Sequence, residues 1–276
     1  PLVPRSTDTV TITARLLDEP TNALGATLFY RNASSSTLPA FTSVPMADDG
    51  ANGDGVAGDG IFSAQIAPLP SLTVVEFYVA AANALGLDRT WPAAALDAND
   101  TPIQQANAHY QVDDSTYAGN QPIYRFILTE PDRAELRSMH DHDINSADSI
   151  DAQANLTFIA IDGAGSEAVY NSSARNRGAG TRGAWPQNYR VAFPNDRGWR
   201  GARGFHLNTQ YTHSQMAAYA LAFRSGIDAE AARVVQLRVN GVNLANDNTS
   251  LTYGSYIQLE TTDSDYTASH YPNDPN

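Results

Sequence analysis

Two residue types are missing from this sequence of 276 residues: it has no cysteine and no lysine. Without cysteine the chain has no disulfide framework, no thiolate metal site and no cysteine nucleophile. No run of about 18 apolar residues exists, which excludes a membrane-spanning helix, and no G-x-S-x-G motif offers a nucleophilic serine. Single histidines among aromatic residues, such as His206 and His270, indicate structural roles. What remains is a folded chain of ordinary apolar content, with ample sequence for sizeable cores.

The charge of the sequence is strongly one-sided. All 17 basic residues are arginine, 23 of the 30 acidic residues are aspartate, and the net charge is −13. This acidity argues against nucleic acid as a partner, because a phosphate backbone needs a basic footprint. An aspartate-rich surface instead suits calcium and an extracellular setting, so we predict a secreted bacterial protein.

The pattern along the chain divides it into two regions joined by a linker. Residues 6–92 hold short alternating segments such as "TVTITARL" and "TVVEFYVAAAN", separated by turn residues, and this spacing predicts an all-β sandwich. Residues 93–112 are small, polar and non-periodic, which indicates a linker. We expect residues 113–276 to form an α+β domain with a sheet and one dominant helix.

Helix signals support this expectation for the second region. Thr129 precedes a segment with one apolar side and a proline near its start, which is typical of the beginning of a helix. Met216, Ala220 and Phe223 recur at helical spacing and predict the dominant helix. Asp263 is placed to cap a further, short helix.

The stretch "DDGANGDGVAGDG" (48–60) resembles a calcium-binding loop. Its oxygen-bearing side chains approximate the spacing D-x-[DN]-x-[DN]-G, although strands and not helices flank it. Aspartates clustered in so few residues would repel one another without a cation. We predict a Ca²⁺ site, with a solvated Asp/Gly hairpin as the alternative. The predicted ligands are Asp48, Asp49, Asn52, Asp54 and Asp59.

The segment "RNRGAGTRGAW" (175–185) has the spacing G-x-G-x-x-G between two predicted strands. A dinucleotide-binding fingerprint must open a helix, so the flanking strands exclude that interpretation. The arrangement matches a hairpin whose amides approach phosphate, and the nearby arginines suit a phosphate or carboxylate partner. The alternative is a flexible loop whose arginines pair with neighbouring carboxylates. The predicted phosphate- or nucleotide-binding residues are Arg177, Gly178, Gly180, Arg182, Gly183 and Arg190.

Five segments resemble, in order and spacing, the CotH (spore-coat protein H) kinase-like family over residues 123–276. They are the basic glycine stretch, "NYRVAF", the Leu207-Asn208 turn before a long helix, "VQLRVNG" and "YGSYIQLE". The preceding region resembles the fibronectin-III-like domain found before such modules in large secreted bacterial proteins. The resemblance implies a fibronectin-III/Ig-like all-β sandwich followed by an α+β domain like an atypical protein-kinase small lobe.

For function, the resemblance implies a parent protein that is an atypical Ser/Thr protein kinase using ATP with Mg²⁺. In the absence of lysine it assigns the nucleotide-anchoring position to Arg190, and Gln215 stands where the family's helix has a glutamate. The family's catalytic carboxylates lie beyond "YGSYIQLE", so we expect a small lobe truncated at its C-terminal end, partnered by the rest of the parent chain, without catalysis of its own. The rival hypothesis is a structural or adhesive, calcium-stabilised surface module that self-associates in an assembly.

Overall fold

The structure is a computed structural model that describes residues 1–18, 24–139, 152–178, 181, 185–246 and 254–273. The chain divides into two units, Pro1–Thr116 and Tyr117–Asn276. The predicted linker, residues 93–112, therefore lies within the first unit, where it contributes three short strands.

The first unit is built from strands. The strands are β1 Val10–Arg15, β2 Leu24–Asn32, β3 Thr42–Met46, β4 Ile61–Ile66, β5 Val74–Asn83, β6 Asp88–Trp91, β7 Ala95–Leu96, β8 Pro102–Ile103 and β9 Ala108–Gln111. β1 pairs with β4, while β3, β2, β5 and β6 form a sheet in that order, in which β9 also pairs with β5. β7 and β8 pair with each other inside the predicted linker.

Successive side chains of a strand point to opposite faces of the sheet, and in β5 this places apolar residues on one face and a buried ion pair on the other. In β5, Val75 and Phe77 are buried core residues, and Glu76 between them belongs to the opposite face. Glu76 is itself only 1% exposed. Its carboxylate accepts from Arg31 Nε at 2.6 Å and from Asn107 Nδ2 at 2.6 Å. Both oxygens of this buried charge are thus paired, as burial of a carboxylate requires.

The second unit contains eight strands and three short helices among the residues that the structure describes. The strands are β10 Ile123–Ile127, β11 Ala154–Asp162, β12 Gly165–Asn176, β13 Tyr189–Ala192, β14 Gly204–Asn208, β15 Ala232–Val239, β16 Val242–Asn243 and β17 Tyr256–Glu260. The helices are α1 Glu130–Ser138, α2 Thr212–Arg224 and α3 Ser264–His270, and a 3₁₀ turn spans Leu244–Asn246.

Seven of these strands close into a mixed β-barrel. The order is β10-β11-β12-β13-β14-β17-β15, and β15 returns to β10 in a parallel pair that joins Ile123–Phe126 to Gln236–Val239. The other neighbours around the barrel are antiparallel. Closure leaves the barrel without free sheet edges.

Aromatic side chains fill the barrel. Phe158 is fully buried, and its ring lies 5.2 Å from that of Tyr124, 5.4 Å from Trp199 and 5.5 Å from Phe205, centroid to centroid. These edge-on arrangements are favourable for aromatic pairs. The hydrophobic core of the second unit therefore lies inside a closed sheet.

The prediction that residues 113–276 form an α+β domain like a kinase small lobe is wrong. That architecture needs a helix packed as a layer against an open sheet, and Met216, Ala220 and Phe223 were expected to form its buried side. In the structure Thr212 is the buried residue of α2, and Phe223 is 82% exposed. The α2 helix lies outside the barrel and adds no side chain to the hydrophobic core cluster, most of whose members are strand residues, so the unit is mostly β.

Candidate anion-binding site

Basic side chains from three neighbouring strands lie in one row on the outer wall of the barrel. Ala174 and Asn176 of β12 are buried, so Arg175 between them faces outward, and Arg177 directly follows the strand. In the antiparallel register Arg175 lies opposite Arg190 of β13, and Arg190 lies opposite His206 of β14. Side chains directly opposite each other share one face of a sheet. We call these four residues, Arg175, Arg177, Arg190 and His206, the arginine cluster.

Arg177 is held in place by a chain of side-chain amides. Its Nη1 donates to Asn208 Oδ1 in β14. Asn208 Nδ2 in turn donates to Gln215 Oε1 of α2 at 3.0 Å, and Gln215 Nε2 donates to the Gln210 carbonyl at 2.6 Å. Arg177 is therefore positioned by Asn208 of β14 and, through it, by Gln215 of α2.

The base of the predicted phosphate loop is a network of buried polar groups. The Asn188 carbonyl accepts from the Arg177 amide at 3.0 Å, and its side-chain Oδ1 accepts from the Thr209 amide at 2.9 Å. Thr209 Oγ1 donates to the Pro186 carbonyl at 3.1 Å. Asn188 and Thr209 are both buried. Because these bonds join the two ends of the loop, the strands that carry the arginine cluster are fixed relative to each other.

The same base is tied to the end of α1. Asn176 Nδ2 donates to the Leu136 carbonyl at 2.9 Å, and Gln187 Nε2 donates to the same oxygen at 3.1 Å. A helix leaves its last carbonyls without partners inside the helix. Here side chains from either side of the loop satisfy one of them.

The structure covers half of the predicted loop residues. Gly178 follows β12 with a φ of 109°, a backbone conformation that favours glycine. The structure places Arg177 and Arg190 together in the arginine cluster, and their role in phosphate binding stays a prediction. The predicted Gly180, Arg182 and Gly183 lie outside the described residues.

The electrostatics of the cluster are dominated by the arginines. Burial, followed by the charges of Arg177 and Arg190, lowers the pKa of His206 to about 4, so its imidazole is neutral at pH 7. Burial also lowers the pKa of Arg177. The negative charge of Glu230, which precedes β15, raises the pKa of both Arg177 and His206 and so partly offsets these effects. The site therefore concentrates positive charge in a protein of net charge −13.

In the predicted calcium loop, carboxylates accept hydrogen bonds from backbone amides of the loop itself. Asp48 Oδ1 accepts from the Gly58 amide at 2.7 Å, and its Oδ2 accepts from the Gly60 amide at 2.9 Å. Asp59 Oδ1 accepts from the Ile61 amide at 2.9 Å. These bonds explain how a loop so rich in aspartate and glycine closes on itself.

Asp54 is the buried member of that loop. It is 0% exposed, and its Oδ2 accepts from the amides of Asp49 at 2.8 Å and Gly50 at 3.1 Å. Its Oδ1 is buried and has no hydrogen-bond partner among the described residues. Asn52, another predicted ligand, adopts a φ of 54° in the turn. Within the described ranges no group of three or more His, Cys, Asp or Glu side chains is arranged to hold a metal ion.

The sequence predicted Arg177 and Arg190 as binding residues, and this stays a prediction; it did not single out His206 and Asn208, which the structure places beside them. His206 was expected to be structural, and Asn208 was noted as part of a turn and not as the partner of Arg177. The sequence does contain a sign that His206 lies on the outer face of the sheet, because it stands between the buried residues Phe205 and Leu207 of β14. Placing it beside Arg190 also requires the strand register, which one sequence does not provide.

Comparison with known protein families found no family model that matches the chain, and a search of curated proteins found no match. In the part of the chain that the structure describes, none of the helices has the length and apolar character needed to cross a membrane.

Proposed function

We propose that the second unit binds a phosphate-bearing anion at the arginine cluster. The observation that carries this proposal is the register of β12, β13 and β14, which sets Arg175, Arg190 and His206 side by side. Arg177, which directly follows β12 and whose amide donates to the Asn188 carbonyl, adds a third guanidinium. Arginines so close together repel one another, and an anion bound between them would relieve that repulsion.

The chemistry of the cluster suits phosphate in particular. A guanidinium presents a rigid fork of N–H donors that matches the oxygens of phosphate or carboxylate. Three guanidiniums offer more donors than a single carboxylate can accept, whereas a phosphate group has several acceptor oxygens. The preorganised position of Arg177 reduces the ordering that binding would otherwise require.

A titration with inorganic pyrophosphate at low salt tests this proposal. Arg190 is exposed, and Arg190→Gln removes one charge-assisted interaction, worth about 1.5–3 kcal/mol. We expect calorimetry on the full chain to show affinity reduced about 10- to 100-fold. The control is Arg89→Gln in β6 of the first unit, which makes the same change in net charge and whose side chain donates to the Asp88 carbonyl.

Two results would overturn the proposal. One is the absence of pyrophosphate binding by the unchanged protein at millimolar concentration. The other is equal affinity of Arg190→Gln and Arg89→Gln. Affinity should also fall as NaCl is added, because salt screens the exposed part of the cluster.

Nucleotide specificity is a separate question that the same titration addresses. The CotH resemblance implies ATP with Mg²⁺, and this stays a prediction, as do the extracellular setting and a parent protein kinase. ATP binding much more tightly than pyrophosphate would support a nucleotide site. Equal affinities would support a site for the phosphate groups alone.

We propose a second role for the first unit, as a calcium-stabilised structural module. The supporting observation is the buried Oδ1 of Asp54, because a buried carboxylate oxygen without a partner is costly and a cation would compensate it. Calcium accepts backbone carbonyls and waters beside carboxylates, so the site does not require three acidic side chains. Loss of thermal stability on addition of EGTA, abolished by Asp54→Asn, would support this role. A melting temperature that is indifferent to the chelator would contradict it.

A further inference from the structure

We propose that His206 is the proton-accepting member of the anion site and takes up a proton when a tetrahedral dianion binds to the arginine cluster. This inference rests on the proposed anion-binding function and adds a mechanism of pH dependence to it. His206 lies directly opposite Arg190 in the β13–β14 pair, and Arg190 lies opposite Arg175 in the β12–β13 pair. A ligand that contacts the arginines therefore lies within reach of the imidazole.

The surroundings of His206 define what changes when an anion arrives. Arg175 of β12, Arg177 directly after it and Arg190 of β13 act on it as positive charges. Opposite it on β17 is the apolar Leu259. The acidic group is Glu230, which also bonds to Tyr219 of α2. Among the described residues, burial of the imidazole and then the three positive charges, opposed by Glu230, keep His206 neutral in the free protein.

A bound dianion reverses that balance. It offsets the repulsion from the arginines and adds an attraction for a proton, so the pKa of His206 rises from about 4 in the free protein to a higher value in the complex, while the effect of burial remains. At a pH between the two values, the complex holds more protons than the free protein. By linkage, anion affinity then increases as the pH falls through the pKa of the complex, and it levels off below about 4.

Sulfate is the appropriate probe, because it does not titrate in this range and cannot itself account for a proton. Calorimetry on the full chain at pH 6, in two buffers of different ionisation enthalpy, measures the protons taken up on binding. If the pKa of His206 reaches about 6 in the complex, we expect uptake of about 0.5 proton and an affinity about tenfold higher at pH 5 than at pH 7.

Two variants test whether His206 is the group that takes up the proton when sulfate binds. His206→Gln keeps a polar side chain and should bind sulfate with uptake near zero and little pH dependence. His270→Gln, in α3 and outside the arginine cluster, should retain the uptake of the unchanged protein. The imidazole resonances in NMR spectra, followed against pH with and without sulfate, measure the same shift of His206 directly and show whether the variant remains folded.

The outcomes separate this inference from the proposed function. Sulfate binding without proton uptake, or with uptake that persists in His206→Gln, overturns the role of His206 and leaves the anion site intact. Failure of the unchanged protein to bind sulfate and pyrophosphate overturns the site itself. Uptake that disappears in His206→Gln alone supports both.

Discussion

The ion-pair group around Asp162 gives the sharpest prediction for the stability of the barrel. Asp162 ends β11, its side chain is 1% exposed, and its two oxygens accept from Arg200 at 2.8 and 2.9 Å. Arg233 of β15 donates to Oδ2 at 2.9 Å. The group therefore links the end of β11 to a strand on the other side of the barrel closure. The substitution Asp162→Asn keeps the shape of the side chain and removes its negative charge.

The magnitude follows from the burial of the partners. Breaking a buried ion pair costs about 3–5 kcal/mol, but the side chains of Arg200 and Arg233 are 35% and 41% exposed and regain water when the charge is lost. We therefore expect a loss of about 2–3 kcal/mol in the free energy of unfolding. For a unit of roughly 150–250 residues this corresponds to a melting temperature lower by about 5–10 °C.

The pH dependence provides an independent check. The Arg200 guanidinium holds the pKa of Asp162 well below its usual range. A depressed pKa means that the stabilisation is fully present above the ordinary pKa near 3.8 and is lost as the pH falls below it. The variant should therefore lose less stability than the unchanged protein between pH 5 and pH 2.

Urea unfolding followed by circular dichroism measures both effects. Asp196→Asn is the control, because Asp196 is exposed in the turn after β13 and should change stability by less than about 0.5 kcal/mol. If Asp162→Asn is no more destabilising than this control, the buried and paired carboxylate of Asp162 does not stabilise the barrel.

Three further predictions concern the remaining charges and the core. His270 lies between Asp228, at 2.7 Å from Nδ1, and Glu260, at 2.9 Å from Nε2, and both raise its pKa. Thermal melts should show a stabilisation that is full below about pH 6.5 and is lost as the pH rises through the raised pKa, and His270→Gln should remove this loss. Phe158→Ala should cost about 3–5 kcal/mol in urea unfolding because the ring is fully buried, and Phe158→Leu should cost clearly less. Glu76→Gln should destabilise the first unit by about 2–4 kcal/mol, measured by calorimetry, since it leaves the arginine partner without its countercharge.

Local signals predicted several elements correctly. Thr129 caps α1 through its side chain, and Asp263 caps α3 in the same way, as the sequence indicates. These features depend on a few neighbouring residues, so a single sequence contains the information. Alternation along "TVTITARL" likewise corresponds to β1.

The closure of the barrel could not be read from the sequence in this way. It depends on the pairing of Ile123–Phe126 with Gln236–Val239, strands separated by more than one hundred residues of chain. No local pattern states which distant strand is the partner, and the helical spacing of Met216, Ala220 and Phe223 favoured a packed layer instead. The helix forms as predicted, but the surface that it was expected to cover is the outside of a closed sheet.

The candidate site shows the same division. The glycine spacing indicated Arg177 and Arg190, because both lie close to the loop in sequence. The membership of His206 follows from the register of β13 and β14, since a shift by one residue would turn the imidazole into the core. Residues on separate strands were thus assembled by pairing that the sequence does not show.

The most direct test of anion binding at the arginine cluster is to locate the bound anion. NMR observation of the arginine Nε–H resonances during a pyrophosphate titration of the full chain reports each guanidinium separately. We expect saturable shifts for Arg175, Arg177 and Arg190, with Arg31 and Arg203 unchanged, because these two are paired with Glu76 and Asp265. Shifts spread evenly over all arginines, or absent from the cluster, would contradict it.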